Sequence, residues 1–471
     1  MMLASCTDQL HALRERRISS VELLQEALGR IDALNPVLNA VVAQDREAAL
    51  SMSAASDARY ATGSARPLEG LPVTIKDAFE VAGFAATCGV PALADHRPAH
   101  DAPAVARLRD AGVVVIGKTN VPPFSADWQT GNDLFGRTNN PWDVTRTPGG
   151  SSGGAVAAVA TGMTSFELGS DIAGSIRWPS HATGVFGHKS TWGLVDMRGH
   201  IPPAPWFDDE PDLVVAGPLT RSAADLSLLM SMLSRDPVVP FGKPVNAWRL
   251  GMMTSAPGAA TAQSVVDSVE YAAAALTSMG AYVEPMHAPF HFEAVWRCYL
   301  SQLCRMHHAS RAGRERREWA SRAGEFADDD MSPSAWLAHT AERSDADLLA
   351  ELEPRERWLE ELRPFFAEFD ALLMPPAPTL ALPHDPRGYD ARPLVVDGEE
   401  RSIFEMTAWT APATVLHLPS TTAPVTRCGG LPCGVQILGP RHGDAVTIAV
   451  AAAIETATGG FVAPPCAATL S

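Results

Sequence analysis

Short apolar runs of strand length alternate with segments of helical period along most of this chain, and that alternation restricts it to an α/β architecture. The stretch 71–76 (LPVTIK) alternates as a short strand. Asp101 and Pro103 open a helix that reaches Gly112, where the β-branched run VVVIG resumes a strand. Upstream, Ser19 and Glu22 have capping-box spacing, and Leu23, Leu24, Ala27, Leu28, Ile31 and Leu34 follow with a helical period. Downstream, LPCGVQILG reads as a strand, with Val435 and Ile437 on one face, and Asp444 to about Thr456 reads as a helix. Neither an internal repeat nor a long linker divides the text, so residues 1–471 are expected to form one domain. A charge-dense stretch at about 311–363 reads as exposed helices, an insertion or lid; its plain alternative is a solvated surface.

Composition narrows the function classes. Apolar residues make up 46% of the chain and charged residues 19%, enough for a large core. The net charge of −17 repels phosphate backbones and anionic bilayers, so neither nucleic acid nor membrane is an expected partner. Seven cysteines without metal-type spacing predict free thiols. The charged N-terminal text and the absence of a long apolar run predict a cytoplasmic protein.

Several motifs match a pattern but fail on context. Gly112–Thr119 (GVVVIGKT) fits the phosphate-loop pattern, yet four consecutive branched apolar residues favour a strand where the loop should be. Pro122 and Pro123 then oppose the helix that should follow. Gly150–Gly154 (GSSGG) satisfies G-x-S-x-G around Ser152, but no strand precedes it. The pairs His96/His100 and His287/His291 have metal-helix spacing, but Pro98 and Pro289 lie inside those turns. No metal and no cofactor is expected.

What remains is a serine- and glycine-rich constellation. The text GGSSGG feeds directly into the small-residue helix AVAAVATG, and FELGSDIAGSIRWPS follows as a loop-rich stretch. Glycines beside Ser151 and before Ser175 let backbone approach backbone, and successive N–H groups in such a turn can point at one oxyanion; the competing reading is a flexible linker. Serine needs a base within hydrogen-bond reach. Lys76, at the end of an apolar strand, is such a base only if burial keeps it neutral; otherwise it is a surface charge.

The chain resembles the amidase signature hydrolases. The matching text is GLPVTIKD around Lys76, GKTNVPPF, NNPWDVTRTPGGSSGGAVAAVATG around Ser151, LGSDIAGSIRWP around Ser175 and GLPCGVQILGP near the C-terminus, together spanning about 20–454. The resemblance implies a single α/β/α domain with a central mixed, mostly parallel twisted sheet covered by helices. It also implies catalysis by Lys76, Ser151 on a cis peptide, and Ser175. An oxyanion hole would be made by the N–H groups of Ile172, Ala173, Gly174 and Ser175, with Asp171 and Arg177 behind the nucleophile loop. The chain departs from the family in having Ala173 where paired glycines are usual and GHKST where LKP is usual.

Trp128, Trp178, Trp206 and Phe207 lie in or near these motifs, suggesting an apolar pocket for aryl or alkyl groups. The implied reaction is hydrolysis of a small-molecule amide through an acyl-enzyme; anilides, esters and carbamates are further candidate substrates. Two alternatives are the amidase subunit of a tRNA-dependent amidotransferase and a non-catalytic binding protein on the same fold. A homodimer is left open.

Overall fold

The computed structural model describes residues 1–201, 211–310, 314–327, 330 and 332–468. Local signals become elements where expected. Both reciprocal bonds of the Ser19/Glu22 capping box form, and helix Ser20–Leu38 buries Leu23, Leu24, Ala27 and Ile31. Helix Pro103–Ala111 starts on its proline and ends at Gly112, whose φ of 109° suits a residue without a side chain. It crosses between strands Pro72–Lys76 and Val114–Thr119, which pair in parallel with Lys76 opposite Thr119. The predicted C-terminal helix spans Asp444–Thr458.

An eleven-stranded mixed sheet runs through the molecule. Its order is Val41–Gln44, Val114–Thr119, Pro72–Lys76, Glu167–Asp171, Val215–Thr220, Phe186–Lys189, Ser420–Cys428, Leu431–Leu438, Ala371–Met374, Arg249–Met252 and Tyr282–Pro285. The sheet is mixed as expected, but it is not mostly parallel. Six of its ten pairings are antiparallel, and the parallel ones sit in the two flanks. Connectivity dictates one of these antiparallel pairings. The two-residue turn Gly429–Gly430 folds Ser420–Cys428 back on Leu431–Leu438, and only an antiparallel pair can be joined so tightly.

Apolar packing falls into two main clusters. One gathers Leu23, Ile75, Val115, Leu226 and Ile454. The other is aromatic and holds Trp128, Trp178, Trp296, Phe404 and Trp409. Within the charge-dense stretch, helices Arg314–Ser321, Pro333–Thr340 and Asp345–Ala350 pack against helix Phe292–Ser310, and helix Arg355–Glu368 follows. On these helices Arg317, Glu318, Arg357 and Arg363 are exposed. Their apolar faces anchor them through Trp319, Trp358 and Leu362, all buried. All seven cysteines are free thiols. No described helix is long and apolar enough to cross a membrane.

Candidate active site

Strands Pro72–Lys76 and Glu167–Asp171 run parallel and adjacent, so their C-terminal ends open at one sheet edge. Lys76 ends the first and is fully buried. Its Nζ lies 2.7 Å from Ser151 Oγ and 2.9 Å from Ser170 Oγ. The Gly150–Ser151 peptide is cis. Burial lowers the Lys76 pKa to about 7, against the opposing pull of Cys88, Asp171 and Glu167. A lysine so held is a neutral amine for much of the accessible pH range, which is the form able to accept a proton.

The glycines of the GGSSGG turn serve close approach. A Cβ on Gly154 would sit 2.4 Å from the Asn120 N and 2.6 Å from the Asn120 O, and one on Gly150 would sit 2.5 Å from the Asp127 O. This packing excludes the linker reading. Helix Gly153–Thr161 is buried along its whole length.

Ser175 lies four residues past the end of strand Glu167–Asp171 and is 4% exposed. Its loop is organised by Asp171, whose carboxylate accepts from the N–H groups of Gly174 and Ile176 at 3.0 Å and of Arg177 at 3.3 Å. Arg177 grips the same carboxylate through Nη2 at 2.7 Å and Nε at 3.0 Å. Burial alone would raise the Asp171 pKa; the guanidinium and the N–H donors hold it at about 2. Arg177 also donates to the Thr410 carbonyl, Gln436 Oε1 and Thr414 Oγ1. An ordinary surface pair is thereby excluded, since both side chains are buried.

In the loop expected to carry the oxyanion hole, one N–H group is already engaged. The Gly174 N–H is committed to Asp171. Among the described residues, the N–H groups of Ile172, Ala173 and Ser175 have no protein acceptor.

Trp128 and Trp178 brace this loop. The Trp128 indole N–H donates to the Ala173 carbonyl at 3.1 Å, and that of Trp178 to the Trp128 carbonyl at 3.0 Å. Trp178, at 1% exposure, is part of the aromatic core. Trp206 and Phe207 lie outside the described residues. Ser170 and His200 were not singled out from sequence. Ser170 Oγ bridges Lys76 and His200 Nε2, the latter at 2.8 Å. Ser170 was legible only as the residue before Asp171, and His200 carried no signal among fourteen histidines.

The misleading motifs have plain roles. Lys118, the apparent phosphate-loop lysine, is buried on strand Val114–Thr119, paired with Asp77 at 3.1 Å and donating to the Phe79 carbonyl at 2.7 Å. Ser152 is fully buried and follows no strand. His96 faces Glu80, and His291 faces Glu361.

The family model described as Amidase matches residues 22–448. The chain belongs to the amidase family. By family it is a hydrolase acting on carbon–nitrogen bonds. It is 32% identical, over 96% of each chain, to a glutamyl-tRNA(Gln) amidotransferase subunit of Heliobacterium modesticaldum. To the same subunit from Azoarcus sp. it is 44% identical, over 50% of this chain and 47% of that one. Among solved structures, a bacterial aryl acylamidase of the amidase signature family superposes with a TM-score of 0.80 at 26% identity, over 97% of this chain and 96% of that one. The corresponding glutamyl-tRNA(Gln) amidotransferase subunit from Thermotoga maritima superposes with a TM-score of 0.74 at 27% identity, over 94% of each.

Proposed function

We propose that this amidase-family protein cleaves carboxylic amides through an acyl-enzyme on Ser175, with Ser151 as proton bridge and Lys76 as general base. The observation that carries the reading is a fully buried amine, 2.7 Å from the Ser151 hydroxyl, at the sheet edge from which the Ser175 loop departs. Ser175 Oγ attacks the carbonyl carbon while its proton passes through Ser151 to Lys76. The open N–H groups of Ile172, Ala173 and Ser175 hold the developing oxyanion; removing one such donor costs about 3–4 kcal/mol of barrier stabilisation. The relay then protonates the leaving amine, and water cleaves the acyl-enzyme by the reverse path. Free thiols support a cytoplasmic setting.

Sequence similarity favours a second reading. Relatives that match over nearly their full length at about a third identity are amidotransferase subunits, for which the same relay would release ammonia from an amide donor within a larger assembly. The likeness to an aryl acylamidase supports stand-alone hydrolysis. One experiment separates them. The protein purified alone is assayed on glutamine, primary amides, anilides, esters and carbamates, with Ser175→Ala as blank. Turnover of simple amides or anilides, lost in Ser175→Ala, is expected for a stand-alone amidase. Turnover of glutamine only, and only once partner proteins are supplied, would establish the second reading. Hydrolysis persisting in a folded Ser175→Ala variant would overturn both.

A further inference from the structure

A neutral amine has two N–H donors and one lone pair, and Lys76 Nζ faces two hydroxyls, Ser151 at 2.7 Å and Ser170 at 2.9 Å. Base catalysis requires the lone pair to face Ser151. Nothing in those two contacts enforces that choice, because a Ser170 hydroxyl turned toward Nζ would take the same lone pair. The deciding group is the next one along. His200 Nε2 lies 2.8 Å from Ser170 Oγ.

His200 is held rigidly. Its backbone bridges that of Phe79, three residues past Lys76, and the Ile201 N–H donates to the Ala78 carbonyl. Its ring meets Phe79 edge-on at 4.8 Å, and it is 1% exposed. Burial, reinforced by the Lys76 charge, pushes its pKa well below the ordinary histidine value, so the ring is neutral and one of its nitrogens is an acceptor. Other ionisable groups acting on Lys76 are Cys88, Asp171 and Glu167.

We infer that His200 is a positioning residue: its Nε2 takes the hydrogen bond of the Ser170 hydroxyl, so Ser170 must accept from Lys76, and the amine's lone pair is left for Ser151. The opposite tautomer, with the proton on Nε2, would turn the Ser170 hydroxyl onto Lys76 and set two hydroxyls competing for one acceptor. This inference rests on the Lys76, Ser151, Ser175 reading, and its test is chosen to fail separately from that reading.

The test needs no known substrate. Phenylmethanesulfonyl fluoride modifies an activated serine: the Ser175 Oγ–S bond forms, the S–F bond breaks, fluoride leaves, and the hydroxyl proton passes through Ser151 to Lys76. The rate is followed by mass spectrometry of the Ser175 peptide. Misdirecting one hydrogen bond is worth about tenfold, so His200→Ala is expected to slow labelling by about that factor. His200→Gln restores an acceptor near the Nε2 position and is expected to label within about threefold of the parent. In a Ser170→Ala background there is no competing hydroxyl, so adding His200→Ala should cost nothing further. Should His200→Ala fail to fold, His200→Phe keeps a ring against Phe79, removes the nitrogen and enters the same cycle. An equal loss with and without Ser170, no loss at all, or no rescue by glutamine would overturn the inference. Parent-rate labelling in Lys76→Ala, or labelling elsewhere than Ser175, would instead overturn the triad.

Discussion

A lysine in the interior is a liability unless its chemistry uses it. Lys76 is charged in the unfolded chain below about pH 10.5, whereas burial lowers its folded pKa to about 7. Between those values the unfolded state binds the extra proton, so Lys76 lowers stability there, and the loss shrinks as pH rises. Lys76→Met is therefore expected to abolish hydrolysis yet raise unfolding free energy by about 2–4 kcal/mol at pH 7, with a smaller gain near pH 10. Denaturant titration at the two pH values checks this. The same pKa sets the activity profile. Below pH 7, kcat/KM should rise about tenfold per pH unit as Lys76 loses its proton, then level off, provided chemistry limits the rate. A profile flat from pH 5 to 9 would remove Lys76 as the base. The motif around Lys76 was readable, but its neutrality was not. Burial depends on side chains from distant segments.

At the scale of elements, the turn and helix around Ser151 lock against the chain that follows strand Val114–Thr119, because glycine lets the helix start touch the backbone at Asn120. Gly154→Ala would push a methyl group into that backbone, which cannot give way as a side-chain tip would. The expected cost is about 2 kcal/mol or more, read as a lowered melting temperature with activity lost in parallel. The nucleophile loop depends on the buried pair in the same way. Asp171→Asn leaves the Arg177 charge without its counter-ion and should cost about 3–5 kcal/mol, measured by denaturant unfolding. The loop motif LGSDIAGSIRWP announced both residues. The burial of Arg177 was set by contacts to Thr410, Thr414 and Gln436, more than 230 positions along the chain.

For the whole molecule, one sheet joins strands from residue 41 to residue 438, and cutting it anywhere would expose apolar faces. Residues 1–471 are expected to unfold in a single calorimetric transition; two resolved transitions would divide the domain. By itself the sequence determined the alternation of strand and helix, the capping signals, the serine and lysine motifs and the family they resemble. These are written in spacings of a few residues, where backbone period and turn chemistry act. Only the tertiary structure decided that the middle of the sheet is antiparallel, that Lys76 is dry, and that Ser170 and His200 stand behind it. Lys76 meets Ser151 across 75 positions and Ser170 across 94, and hydrogen bonds at that separation follow from how the chain packs, not from its local pattern.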